Sequence, residues 1–307
     1  MDETSITIRP ATEADMRGAF AVFRRSLMPY LHRLGVVDSP EVTDAQLDES
    51  WGPRSVWIKH LWGSAAHNVV AEAPGGELVG WALSAQRGEV LELCMFFVAP
   101  GTQSKGVGRA LLERAFPLGE GPHRSIIATQ DPRAMSRYFR QGVRFITSII
   151  DLEAPPRRVS VDTDLVFERL DPSAPWSVEV IGSVEEQLSG ERRDVDVAFM
   201  LGLRPAWIAR RGGAAVGFAF GCVDELTGPI AALDPADMPA LLALVEDHAA
   251  ETGATNVYFS TPLSNHTAVE WLLGRGYTID PFVASFLADS EWLKVDRWIH
   301  TGISYIY

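Results

Sequence analysis

Between Val98 and Arg114 the chain passes from an apolar strand through Gly106 and Gly108 into a helical stretch, and this run, Val98-Ala-Pro-Gly-Thr-Gln-Ser-Lys-Gly-Val-Gly-Arg109 at its start, has the makings of a diphosphate cradle. Glycines let the backbone approach a ligand closely, and the first N–H groups of a helix present the positive end of its dipole. Lys105 and Arg109 add charge of the matching sign. Spacing excludes other phosphate loops. A P-loop carries Lys-Ser or Lys-Thr directly after its last glycine, and a dinucleotide fingerprint needs three glycines at other offsets.

The spacing Gln103-x-x-Gly106-x-Gly108, five residues after Val98 in a Val-x-Pro strand end, resembles the coenzyme A-binding signature of the GNAT acyltransferases. A second stretch, Asp131-Pro-Arg-Ala134-x-x-x-Tyr138-x-x-x-Gly142, resembles the family's Asn-x-x-Ala-x-x-x-Tyr-x-x-x-Gly motif, with Asp131 in place of the Asn. The resemblance implies acetyl-CoA as cofactor, held by the backbones of Phe97 and Val98 and by Gln103, Ser104, Lys105, Gly106, Val107, Gly108 and Arg109 around the pyrophosphate, with Asp131 as the helix cap beside them. It also implies that the Val98 N–H faces the oxyanion and that the Tyr138 hydroxyl protonates the departing thiolate.

Acyl transfer to an amine further needs a group that takes the amine's proton. Glu92 lies 14 residues before Gly106, the spacing at which the histone-acetylating members of the family place their glutamate. A base there requires burial among Leu91, Leu93 and Phe96 or a relay through water. The other reading is a side chain facing solvent on a half-exposed strand. Alternation puts Glu92, Cys94, Phe96 and Val98 on one face unless a bulge intervenes, as the resemblance implies. For Tyr138 the competing reading is packing on an apolar helix face with Ala134, Met135 and Phe139.

The elements that position these residues occur twice. A strand at Ile6–Pro10, a capped helix from Thr12, helical pieces near Asp44–Ser50 and Val56–Leu61, and strands at Asn68–Ala73, Leu78–Gln86 and Glu89–Val98 lead to the glycine loop. A helix at Val107–Phe116, a strand at Arg124–Gln130, a helix at Asp131–Gln141 and a strand at Phe145–Leu152 come next. Ala154-Pro-Pro-Arg-Arg-Val-Ser160 has linker composition with both arginines solvated. Val79-Gly-Trp-Ala-Leu83 returns as Val216-Gly-Phe-Ala-Phe220, and the Asp131–Gly142 stretch as Asn265–Gly276. The expected class is α+β, two GNAT-like domains at 1–155 and 163–307 joined by 156–162, each a mixed, mostly antiparallel twisted sheet flanked by helices.

The copies differ where the chemistry would be. Pro100 precedes Leu111 by 11 residues, Pro235 precedes Leu241 by 6, and Asp234-Pro-Ala-Asp-Met-Pro239 has carboxylates in place of glycines. Like charge there repels a phosphate, and Leu272 stands where Tyr138 would be. The second copy is expected to bind no cofactor.

At 307 residues, 47% hydrophobic and 22% charged, the chain suits two globular domains. Residues 1–155 hold 16 Lys+Arg against 18 Asp+Glu, or −2, which leaves 11 against 22, or −11, for the rest. A near-neutral half can receive an anionic cofactor, and an acidic half excludes nucleic acid as partner. With no apolar run long enough for a bilayer and no basic, apolar leader, membrane partners are excluded and a cytoplasmic location is expected. Cys94 and Cys222 read as core residues, and the seven histidines lack metal-ligand spacing, so no metal is expected. The expected activity is acetyl transfer to a primary amine of a small molecule or peptide by direct attack in a ternary complex. A non-catalytic acyl-CoA sensor or scaffold, a tandem enzyme of the mycothiol synthase kind, and a homodimer stay open.

Overall fold

In the computed structural model, residues 6–103, 106–223 and 226–301 are described, so Ser104 and Lys105 lie outside the described residues. Strand β1 (Thr7–Pro10) is tied to the turn after it by Asp15, which accepts from the Thr12 N–H at 2.8 Å and from two guanidinium nitrogens of Arg9 at 2.7 Å each. Helix α1 (Met16–Arg33) then buries Ala19, Phe20, Val22 and Phe23. Helix α2 (Asp44–Gly63) starts on a Thr43–Gln46 capping box and is continuous, although the sequence predicts two pieces. Pro53 forfeits one intrahelical bond, but Leu47, Ser55, Ile58 and Leu61 carry a buried face through it, and that packing outweighs a local cost of about 3 kcal/mol.

Strands β2 (Ala65–Glu72), β3 (Leu78–Arg87) and β4 (Val90–Val98) form an antiparallel meander that β1 extends. Helix α3 (Val107–Ala115) comes after the glycine loop, strand β5 (His123–Thr129) pairs parallel to β4, and helix α4 (Pro132–Arg140) ends before Gly142, whose φ of +87° makes it the left-handed cap the sequence predicts.

The chain divides into two units, Met1–Ile126 with Asp131–Arg144, and Ile127–Gln130 with Phe145–Tyr307. The strand predicted at Phe145–Leu152, expected in the first domain, is β6 (Arg144–Ala154), and all but its first residue falls in the second unit. The reason is its packing: Ile150, Leu152 and Ala154 belong to the hydrophobic core of Val257, Phe259 and Leu241. Both arginines of the 156–162 segment are exposed, as expected, and the segment is tethered as well. The Arg157 N–H donates to the buried Glu246 at 3.1 Å, and Arg158 pairs with Glu251 at 2.6 Å.

The remaining elements are β7 (Val166–Arg169), α5 (Pro175–Ser189), α6 (Asp194–Leu201), β8 (Ala206–Arg211), β9 (Ala214–Phe220), β10 (Ile230–Ala232), α7 (Met238–Glu251), β11 (Val257–Pro262), α8 (His266–Gly274), β12 (Thr278–Ala288) and β13 (Trp298–Ile299). They give a five-stranded sheet, β13-β10-β9-β8-β7, and a ladder in which β6 pairs antiparallel with β11.

The repeat read from sequence has a packing counterpart. A Cβ on Gly80 of β3 would sit 2.7 Å from Leu111 Cδ1 on α3, and a Cβ on Gly217 of β9 would sit 3.1 Å from Leu241 Cδ1 on α7. In each unit a strand glycine makes room for the leucine of the helix that crosses it. Gly80 with Gly217 and Leu111 with Leu241 are the pairs that the internal repeat matches.

Candidate active site

β4 is the floor of the site, and its backbone departs from regular pairing in the middle. Leu83 lies opposite Met95 and Ser84 opposite Leu93, so Cys94 is the extra residue of a bulge. The bulge puts Glu92, Met95 and Phe97 on one face and Leu93, Phe96 and Val98 on the other. Glu92 therefore does not share a face with Phe96 and Val98, as unbroken alternation would have it. The parallel pairing with β5 runs from Val90/His123 to Leu93/Ile126. Past Leu93 that edge of β4 has no strand beside it among the described residues.

Which backbone groups use the open edge is a matter of parity. The Ala99 N–H donates to the Val79 carbonyl at 2.9 Å, so residues 99, 97 and 95 direct their backbone groups to β3, and 98 and 96 direct theirs outward. The Val98 backbone thus turns to the open edge, whereas the Phe97 backbone turns to β3 and its ring packs on Phe23 of α1 at 4.7 Å. Phe96 takes the outward place. Two adjacent strand residues cannot face the same edge, a constraint that was available in the sequence.

Gln103 donates its side-chain amide to the Val98 carbonyl at 3.1 Å and so ties the glycine loop to the strand end. Gly106 caps α3 with φ +86°, and nothing lies within 4 Å of where its Cβ would be. The first bond of the helix runs from the Ala110 N–H to the Gly106 carbonyl, which leaves the N–H groups of Val107, Gly108 and Arg109 ahead of the ladder. The Val107 side chain is buried, so its N–H is what it can offer a ligand. A Cβ on Gly108 would lie 3.3 Å from Phe96 Cζ and 3.6 Å from Val98 Cγ2, so the helix start sits directly on the end of β4.

Arg109 is exposed and pairs with Glu113 at 2.7 Å, a contact that water and salt weaken and that leaves the guanidinium able to swing. Arg137 was not singled out from the sequence. Its Nε lies 3.6 Å from the place of a Gly108 Cβ, which brings a second guanidinium to the start of α3. The i, i+4 pair Arg133 and Arg137 on the helix carrying Tyr138 was the signal that could have found it. The cradle fits a diphosphate: a left-handed glycine with clear space, three leading N–H groups and two arginines within reach.

Glu92 is 2% exposed, which removes the solvent-facing reading, and Ser125, facing it on β5, donates to its Oε2 at 2.9 Å. Ser125 has no obvious signal in the sequence, since its partnership depends on the parallel register. Tyr138 is buried with its ring edge-on to Phe96 at 5.8 Å. Burial pushes its phenol above the ordinary tyrosine range, so the hydroxyl keeps its proton. Asp131 caps α4 by accepting from the Arg133 N–H at 2.9 Å, and the Arg133 guanidinium holds its carboxyl below the usual carboxylate range. The Asp in place of Asn therefore keeps the cap.

The matching place in the second unit is closed by its own side chains. The Asp234 carboxylate accepts from the Ala236 N–H at 3.0 Å, and Asp237 pairs with Arg211 at 2.7 Å. Leu272 is fully buried on α8.

Residues 37–142 match the model of the acetyltransferase (GNAT) family. The matched stretch runs from before α2 to Gly142 and contains the glycine loop and Tyr138. Among solved structures, the chain is similar to a candidate acetyltransferase of Pyrococcus horikoshii at 15% identity and a TM-score of 0.68, over 95% of this chain and 92% of that one. It is similar to a GCN5-related N-acetyltransferase of Sphaerobacter thermophilus at 16% identity and a TM-score of 0.61, over 95% and 97%. A tandem GNAT protein from the clavulanic acid biosynthesis pathway aligns at 15% identity and a TM-score of 0.56, over 92% and 98%. No curated protein matches the chain. The GNAT-like fold thus extends over both units. Among the described residues no helix is long and apolar enough to cross a membrane, and no cluster of His, Cys, Asp and Glu could hold a metal ion.

Proposed function

We propose that the chain is an acetyl-CoA-dependent N-acetyltransferase whose first domain transfers an acetyl group to a primary amine, and whose second domain is a copy that binds no cofactor. The observation that carries the reading is the open edge of β4 from Cys94 to Val98, bounded by the α3 N-terminus with Gly106 and by Tyr138. Acetyl-CoA, when bound, supplies an activated acyl thioester. The outward N–H of Val98 stabilises the negative charge that develops on the acyl oxygen. Glu92 accepts the amine's proton, directly or through water, with Ser125 fixing one of its oxygens. Tyr138, kept protonated by burial, gives a proton to the departing sulfur. The N–H groups of Val107, Gly108 and Arg109, with Arg137 beside them, bind and orient the diphosphate.

Incubating the full chain with acetyl-CoA and a panel of amines, and monitoring free thiol and acetylated product together, tests this. Product with at least one amine, faster than thioester hydrolysis, is expected. Tight coenzyme A binding with no transfer to any amine would replace the reading by a sensor.

A further inference from the structure

The first unit has a second polar concavity, a cavity of about 370 Å³ between α1 and α2, lined among others by Arg24, Met28, Val42, Gln46, Glu49 and Arg54. The pairing of arginines along these helices sets it apart. Arg17 pairs with Asp48 of α2, and Arg25 with Asp44 of α2 at 2.8 Å. Arg24 lies between them in sequence, is half-buried, and has no carboxylate in ion-pair range among the described residues. Its Nε is buried without a hydrogen-bond partner. The nearby charge that affects it is Arg54, also a cation, and burial first and Arg54 second push its guanidinium below the ordinary arginine range. Glu49 lines the same cavity but, among the described residues, pairs with neither arginine.

A partly desolvated cation facing a like charge is costly unless something of opposite sign joins it. The cavity is also within the size range of a small-molecule site. Its position adds direction. The Arg24 guanidinium lies 6.0 Å from the centre of the Phe23 ring, that ring packs on Phe97 of β4, and Phe97 shares the sheet face of Glu92.

We infer that the α1–α2 cavity is an anion site, in which Arg24 and Arg54 together hold a carboxylate or phosphate group of a small ligand, and that on the proposed transfer reaction this group is carried by the acceptor amine. The assignment to the acceptor rests on the acetyltransferase reading; the anion site itself does not.

Two measurements separate them. Calorimetric titration of the full chain with inorganic phosphate, in the presence of saturating coenzyme A so that the start of α3 is already occupied, reads the anion site alone. Wild type is expected to bind, and Arg24→Met and Arg54→Met, which keep the apolar stems, to weaken binding at least tenfold. Arg25→Gln, which breaks only the surface pair with Asp44, is expected to leave it unchanged, and Arg24→Lys to recover part of the loss. Equal phosphate binding in wild type and both Met variants would overturn the site whatever the enzyme does. The second measurement compares kcat/KM for amines bearing a free carboxylate with their carboxamide counterparts. A preference for the carboxylate that falls at least tenfold in Arg24→Met and Arg54→Met assigns the anion to the acceptor. Phosphate binding that depends on both arginines, with no such preference, overturns the acceptor assignment and leaves a separate anionic effector. Absence of transfer to every amine would refute the reaction and not the anion site.

Discussion

Gly106 offers a way to separate charge from shape in the cradle. Its φ of +86° means any side chain there bears the left-handed penalty of about 1–2 kcal/mol, and the clear space at its Cβ means there is no steric addition. Gly106→Glu and Gly106→Lys therefore carry the same backbone cost and opposite charge. With the charged end on the order of 6 Å from the diphosphate and an effective dielectric of roughly 80, as suits an exposed site, each unit charge contributes about 0.7 kcal/mol per phosphate, and the Glu-to-Lys difference, two charges acting on two phosphates, comes to about 3 kcal/mol before screening.

Screening lengths of about 30, 8 and 3 Å at 0.01, 0.15 and 1 M salt reduce that to about 2.5, 1.4 and 0.4 kcal/mol. The Lys variant should thus bind coenzyme A roughly 60-fold more tightly than the Glu variant at the lowest salt, about tenfold at 0.15 M and about twofold at 1 M. Stability should run the other way, since a carboxylate at a helix N-terminus is favoured by a few tenths of a kcal/mol and an ammonium is not. Calorimetric titration and thermal melts on both variants measure the two orders. Equal affinities at low salt, or a ratio that ignores salt, would refute the placement of the diphosphate at the start of α3.

Three further outcomes are expected. Tyr138→Phe leaves the ring against Phe96 and removes only the proton donor, so kcat should fall by about 10²-fold or more while acetyl-CoA affinity stays within about threefold; because burial keeps the phenol protonated, wild-type kcat should show no alkaline loss at the ordinary tyrosine pKa near 10, and an unchanged kcat in the variant would remove Tyr138 from the chemistry. Gly217→Ala should cost more than Gly80→Ala in denaturant unfolding, within a range of about 1–3 kcal/mol, because its Cβ meets the Ala231 carbonyl oxygen at 2.8 Å where Gly80 meets the movable end of Leu111; Leu111→Val should then recover part of the Gly80→Ala loss, and no recovery would refute that contact. Arg9 holds the Asp15 carboxyl below the usual range, so its stabilisation is present above the ordinary carboxylate pKa near 4 and is lost as pH falls below it; Asp15→Asn should destabilise by about 1–2 kcal/mol at pH 7 and by progressively less in acid, and a pH-independent difference would exclude the ion pair as the cause.

What the sequence revealed of this molecule was what local physics determines. A strand that runs into glycines and then into an amphipathic helix specifies a cradle by itself, and Asp131-Pro132 specifies the start of α4 by itself. The continuity of α2 through Pro53 was hidden because a propensity penalty was weighed without the buried face of Ile58 and Leu61 that repays it. The assignment of β6 to the second unit was hidden for another reason. Chain order says nothing of which core receives Ile150 and Leu152. The surroundings of the site residues were the least legible, since Ser125 reaches Glu92 through a parallel register and Arg137 reaches Gly108 from a helix 29 positions away in the chain.

The two units also show how little separates a binding cradle from a closed one. Both keep the strand glycine that admits a helix leucine, so the crossing of helix over sheet is common to both. They part at the helix start. In the first unit the leading N–H groups face a left-handed glycine and arginines arrive from outside the helix, which leaves the positive end of the dipole for a ligand. In the second, Asp234 takes the leading N–H of its own turn and Asp237 is neutralised by Arg211, so the same helix end is satisfied internally. An anion arriving there would have to displace one carboxylate and approach another, while gaining no donor that is not already in use. An open helix start in one unit and a closed one in the other therefore need no change of fold, only a shorter connection in which self-capping acids stand in place of the glycines.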